Sequence, residues 1–107
     1  MVFAVNNIEW QIKFVNPMSK DLLRSDFTRT VGVTDWNKRT VFLSDMLYGA
    51  FLRKVFIHEV CHCAMFSYGI DMDIEQEEFL CDWVATYGDE VFAIVDDVFM
   101  SLKKRAV

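Results

Sequence analysis

The sequence predicts an α+β domain: a small antiparallel or mixed sheet with an edge hairpin, packed on one long helix and followed by two C-terminal helices. Three observations predict it. Ile8-Glu9-Trp10-Gln11-Ile12-Lys13-Phe14 alternates apolar and polar residues at the period of two that a half-buried strand requires. From Phe51 onward the apolar residues recur at the three- and four-residue spacing of helices. Only four Gly and one Pro interrupt 107 residues, which leaves little room for long irregular stretches.

In chain order, Asn16-Pro17 ends the first strand, and Pro17 opens a short helix over Met18 to Arg24 with Leu22 and Leu23 turned inward. Thr28 to Thr34 and Arg39 to Leu43 are β-rich runs. The Asp35-Trp36-Asn37-Lys38 segment between them has the Asp and Asn of a turn, so the pair reads as a hairpin. Trp36 at its tip is either an exposed contact or folds back on the core. Ser44 or Asp45 then caps a helix running through Phe51, Val55, His58, His62 and Met65 to about Tyr68, with Gly69 placed to stop it. Phe51, Val55, Ile57, Val60 and Ala64 surround this helix with apolar groups, which predicts a central, buried element. Asp71 or Asp73 begins a helix over Ile74 to Tyr87, Gly88-Asp89 breaks it, and Glu90 to Lys104 forms the last helix.

Length and composition set the class. Residues 1–107 fit a single domain with one core, and 53% hydrophobic content with ten Phe and three Trp argues against disorder. Charges interrupt every apolar run before it reaches bilayer-spanning length, so no membrane association is expected. The N-terminus lacks the basic start and apolar stretch of a secretory signal. Cys61, Cys63 and Cys81 form an odd set, and the first two diverge on a helix, so a reducing, cytoplasmic setting is expected. A net charge of −5 disfavours nucleic acid as a partner; Lys103-Lys104-Arg105 reads as a helix end complementing the dipole.

The chemistry is concentrated at His58-Glu59-Val60-Cys61-His62, which uses the only two histidines present. On a helix, residues i and i+4 share a face, so two imidazoles can bind one metal with a carboxylate between them to take a proton from an activated water. A catalytic zinc takes three protein ligands. With no third histidine, the third ligand is a carboxylate or a cysteine. Glu78 is the best-spaced candidate: fifteen residues after His62 allow the helix to end, turn and return alongside. Glu75 and Glu77 in the same acidic stretch remain alternatives. Asp82, one turn after Glu78, is placed to accept the outer N–H of a ligating imidazole.

His58-Glu59-Val60-Cys61-His62 followed by Glu78-x-x-x-Asp82 resembles the gluzincin pattern of zinc metallopeptidases. More narrowly, Glu78-Phe79-Leu80-Cys81-Asp82-Trp83-Val84-Ala85 is similar to the Glu-x-x-Ala-Asn-x-Phe-Ala segment of the ImmA/IrrE family, small bacterial and phage-associated metallopeptidases, some of which cleave transcriptional repressors. In that family an edge strand precedes the active-site helix, and Thr40-Val41-Phe42-Leu43 holds the corresponding place. The similarity covers roughly the second half of the chain. Cys61 replaces the glycine common before the second histidine, and Asp82 stands where the family usually has asparagine.

The resemblance implies a minimal zincin-like domain in which His58, His62 and Glu78 bind Zn2+ and Glu59 is the general base of peptide hydrolysis, acting on a specific cytosolic protein or peptide. The oxyanion would take a further donor, for which Tyr48, Tyr68 and Tyr87 are available. The alternative is a non-enzymatic module with a structural zinc, or a toxin- or antirepressor-like protein that engages a single partner.

Overall fold

The computed structural model describes residues 1–105. Strands β1 (Val2–Val5), β2 (Ile8–Val15), β3 (Gly32–Asp35) and β4 (Thr40–Ser44) are followed by helices α1 (Gly49–Ser67) and α2 (Ile74–Arg105). The sheet is mixed, in the order β1-β2-β4-β3, with β2 and β4 parallel and the other two pairs antiparallel. The molecule is therefore α+β, as its alternating and helical segments predict.

Strand β2 keeps the expected pattern as far as Lys13: Trp10 is buried while Glu9, Gln11 and Lys13 face solvent, but Phe14, expected inward, is exposed. Strand β1 has no counterpart in the sequence reading. It pairs with β2 through Val5↔Ile8 across Asn6-Asn7, both with positive φ (50° and 62°). Asparagine tolerates that left-handed region, and two such residues form the tight turn whose twist suits a hairpin. The expected hairpin forms between β3 and β4, but β3 is only four residues long. In the part of the Thr28 to Thr34 run before Gly32, Arg29 forms an isolated bridge with Leu23 and the Val31 carbonyl accepts from the Ser44 N–H. The helix expected over Met18 to Arg24 is a 3-10 turn, Lys20–Leu22, capped by the Ser19 hydroxyl.

Two helix boundaries are corrected. Ser44 and Asp45 do not cap α1, because Ser44 is the last residue of β4, paired with Val15 of β2. The helix starts at Gly49, after Tyr48, with no side-chain cap. At the far end Gly69 stops the helix as expected: φ is +63°, and Gly69 and Ile70 donate backbone hydrogen bonds to the Phe66 and Met65 carbonyls. The second correction is larger. Gly88 does not divide the C-terminal segment, and α2 runs unbroken for 32 residues. A lone glycine costs a helix roughly 1 kcal/mol against alanine, too little by itself to end one.

The core lies between the sheet and α1. Trp10, Val41, Leu43 and Cys63 are its buried centre, with Leu52, Val55 and Phe56 of α1 packed against them. Trp36 folds back, stacking on Phe66 at 5.6 Å and lying 5.7 Å from Trp10, with the Arg39 guanidinium 4.5 Å over its ring. Trp10 Nε1 donates to Ser67 Oγ (2.9 Å) and Asn6 donates to the Ser67 carbonyl (3.0 Å), tying the end of α1 to the β1–β2 turn. Helix α1 is not enclosed on all sides, however, since Phe51, Arg53 and Lys54 are exposed.

Candidate metal centre

The site is built by two antiparallel helices and one edge strand. One turn separates His58 from His62 on α1, so both imidazoles face α2, which passes in the opposite direction. The donor atoms of His58, His62 and Glu78 all lie within 4.8 Å of one another, a group that could hold a metal ion. His58 Nε2 and His62 Nε2 are 3.1 Å apart, and Glu78 reaches them with Oε2 at 3.3 Å and Oε1 at 2.9 Å. Ligands about 2.0–2.1 Å from an ion at tetrahedral angles stand roughly 3.3 Å from each other, so this spacing suits a zinc-sized centre.

The hydrogen bonds behind the cluster orient its rings. His62 Nδ1 lies 2.6 Å from Glu77 Oε2, and His58 Nδ1 lies 2.8 Å from Asp82 Oδ1. A carboxylate only accepts, so the Nδ1–H of each ring donates outward and each Nε2 is turned inward, toward Glu78. Two imidazole nitrogens and a carboxylate then converge on one point. Two imidazoles and a carboxylate are the donor set that a catalytic zinc takes from a protein.

Glu59 sits beside this point. Its side chain is buried, with Oε2 4.0 Å from His58 Nε2. Burial pushes its carboxyl above the ordinary range, against the opposing pull of the two histidines and the Thr34 hydroxyl. Thr34 Oγ1 of β3 lies 2.9 Å from Glu59 Oε1 and 3.1 Å from the Glu59 carbonyl oxygen. The edge strand comes this close because residue 32 is glycine. A Cβ there would stand 2.9 Å from Val55 Cγ1 and 3.2 Å from both Cγ and Oε2 of Glu59.

A cleft of about 440 Å³ opens over the cluster, lined by Gly32, Val33 and Thr34 on one element and by His58, Glu59, His62, Glu77 and Glu78 on the others. This lies in the size range of small-ligand and peptide-side-chain sites. Tyr48, Tyr68 and Tyr87 are exposed and none of them lines it; among the described residues Arg24, on the loop before β3, is the one cationic side chain that does.

Of the acidic stretch, the three glutamates take different places. Glu78 enters the cluster, Glu77 backs His62 from the buried side, and Glu75 is exposed at the start of α2. Sequence spacing alone did not assign Glu77 its place behind His62, nor Thr34 and Gly32 their places against Glu59. The i, i+4 spacing from Asp82 leads back to Glu78; Glu77, five residues before Asp82, falls well round the helix, so this spacing carried no signal for its place. No spacing rule links β3 to α1.

The thiols remain apart from the cluster. Cys63 is buried in the core, and burial pushes its thiol up to about 12. Cys81 is pushed up by burial and by its hydrogen-bonding neighbour Cys61 across the α1–α2 contact. All three cysteines are free. Among the described residues no helix is long and apolar enough to cross a membrane. No protein-family model, no curated protein and no solved structure matches the chain.

Proposed function

We propose that this chain is a minimal zinc metallopeptidase of the gluzincin type, akin to the ImmA/IrrE family, that hydrolyses peptide bonds in a specific intracellular protein. The observation that carries the reading is the convergence of His58 Nε2, His62 Nε2 and the Glu78 carboxylate within 4.8 Å of one another, with Glu59 alongside. His58, His62 and Glu78 would hold the zinc. When bound there, Zn2+ supplies Lewis-acid chemistry, making a water nucleophilic near neutral pH and polarising a carbonyl.

The chain's own residues supply the rest. Glu77 and Asp82 accept from Nδ1 of the two imidazoles and so aim Nε2 of each at the metal position. The Thr34 hydroxyl holds Glu59 Oε1, leaving Oε2 on the side of the cluster to take the proton of the attacking water. A raised carboxyl pKa suits a group that must later return that proton to the leaving amine near neutrality. Arg24 is the cation available in the cleft for negative charge on the substrate. Three protein ligands, rather than four, and an open cleft favour catalysis over a structural zinc.

Elemental analysis of the purified protein tests the metal, and a fluorogenic peptide library tests the hydrolysis. The expected outcome is about one zinc per chain, lost in Glu78→Ala. In Glu59→Gln the zinc is kept and hydrolysis falls by about 10²–10⁴-fold. Full occupancy in Glu78→Ala removes Glu78 from the ligand set, and unimpaired hydrolysis in Glu59→Gln removes the general base.

A further inference from the structure

The two helices differ in length, and the difference leaves one surface without a partner. At about 1.5 Å per residue, α1 spans roughly 28 Å and α2 roughly 48 Å. They run antiparallel, joined by His62–Glu78, His58–Asp82 and Arg53–Asp89. Arg53 lies near the start of α1, so α2 continues well past the end of its neighbour. Every residue from Asp89 to Arg105 is exposed.

That projecting segment is amphipathic. Val91, Phe92, Ile94, Val95, Val98, Phe99 and Leu102 fall within one arc of the helix at 3.6 residues per turn, and each is 40–65% exposed. Asp89, Glu90, Asp96, Asp97, Lys103 and Lys104 lie outside the arc. A helix of this length, rich in β-branched residues, is marginal in water without a surface to pack on. The arc offers on the order of 700 Å² of side chain, close to the ~800 Å² each partner contributes to a stable interface.

We propose that the covering partner is a second copy of this chain, paired antiparallel through residues 89–105. The charge order selects this arrangement. Acidic residues occupy the start and middle of the segment and Lys103-Lys104-Arg105 its end. Antiparallel pairing about a two-fold axis between residues 96 and 97 sets Val91 against Leu102, Ile94 against Phe99 and Val95 against Val98. Charges in an antiparallel pair meet along the same flank of the seam, and this register brings Glu90 of one copy beside Arg105 of the other. Parallel pairing would put like charges together at both ends. Four carboxylates against three cations in the segment, on a chain of net charge −5, disfavour an anionic membrane as the occupant.

Sedimentation equilibrium on the full chain tests the pairing. The expected species has twice the 12.5 kDa chain mass. Val95→Glu/Val98→Glu, at the axis, converts it to monomer and lowers the helical circular dichroism as the projecting turns melt. Tryptophan fluorescence from the Trp10–Trp36 core stays unchanged. Arg105→Glu weakens the dimer severalfold, and adding Glu90→Lys restores it. A wild-type chain that is still monomeric at about 100 µM, well above a micromolar dissociation constant, overturns the proposal. Binding to phosphatidylglycerol vesicles or to another protein by that monomer would assign the face to a different occupant. A dimer untouched by Val95→Glu/Val98→Glu overturns the interface. A Glu90→Lys change that fails to rescue Arg105→Glu overturns the antiparallel register.

Discussion

One helix carries both a half packed on its neighbour and a half covered by nothing in the chain. Along Ile74–Gly88, α2 lies against α1: Glu77 and Cys81 are buried, and Glu77, Glu78 and Asp82 each meet a histidine. Along Asp89–Arg105 every residue is exposed, although the apolar spacing is at least as regular. Helical periodicity therefore marks a face that needs a partner, without saying whether that partner lies in the same chain. The proximal half owes its order to α1, and the distal half outruns it.

The largest effect that sharpens this contrast is in folding. Trp10→Ala, removing a fully buried ring and its hydrogen bond to Ser67, should destabilise the domain by about 3–5 kcal/mol in urea titrations. Phe92→Ala, in the distal segment, should change the stability of dilute protein by only about 0.5 kcal/mol or less. Equal losses would erase the distinction between the two regions.

Next comes Gly32→Ala, whose new methyl group must displace Val55 or Glu59. A misplacement approaching 1 Å costs roughly 10²-fold in rate, so hydrolysis should fall by about that factor while zinc content stays at wild-type level. Glu77→Gln should then weaken zinc binding by roughly 10–100-fold in chelator competition, since it withdraws the charged partner of His62 Nδ1. Asp97→Asn, on the distal half, should leave the affinity unchanged.

The smallest effect is electrostatic and sits at the junction of the two halves. Hydrogen bonds from Arg53, at 2.8 and 2.9 Å, hold the Asp89 carboxyl below the ordinary carboxylate range, in full contact with solvent. A carboxyl depressed in the folded state adds stability above its unfolded value, about 3.9, and loses that contribution as the pH falls through the folded value. The urea midpoint of Asp89→Asn should therefore sit slightly below wild type at neutral pH and merge with it in acid. Because the pair is exposed, added salt should shrink the gap.

How far the sequence reached can be read from particular residues. Strand β2 was legible because Glu9, Gln11 and Lys13 separate apolar neighbours. The end of α1 was legible because Gly69 takes a conformation that other residues resist. The start of α1 was misplaced, since Ser44 has a capping residue's chemistry but is held in β4 by pairing with β2 on one side and proximity to β3 on the other. Gly88 was overweighted as a breaker. Strand β1 went unread although Asn6-Asn7 carried its turn signal.

What the sequence by itself determined is the α+β composition of elements and a histidine pair on one helical face with carboxylates spaced to return to it. Those are local or periodic properties, set by backbone geometry within one element. Only the tertiary structure decided which glutamate enters the cluster and which stands behind His62, because that depends on how α2 is rotated against α1. It also brought Gly32 and Thr34 of the edge strand to Glu59, and left the end of α2 uncovered, since no residue's own neighbours in sequence specify what another element places beside it.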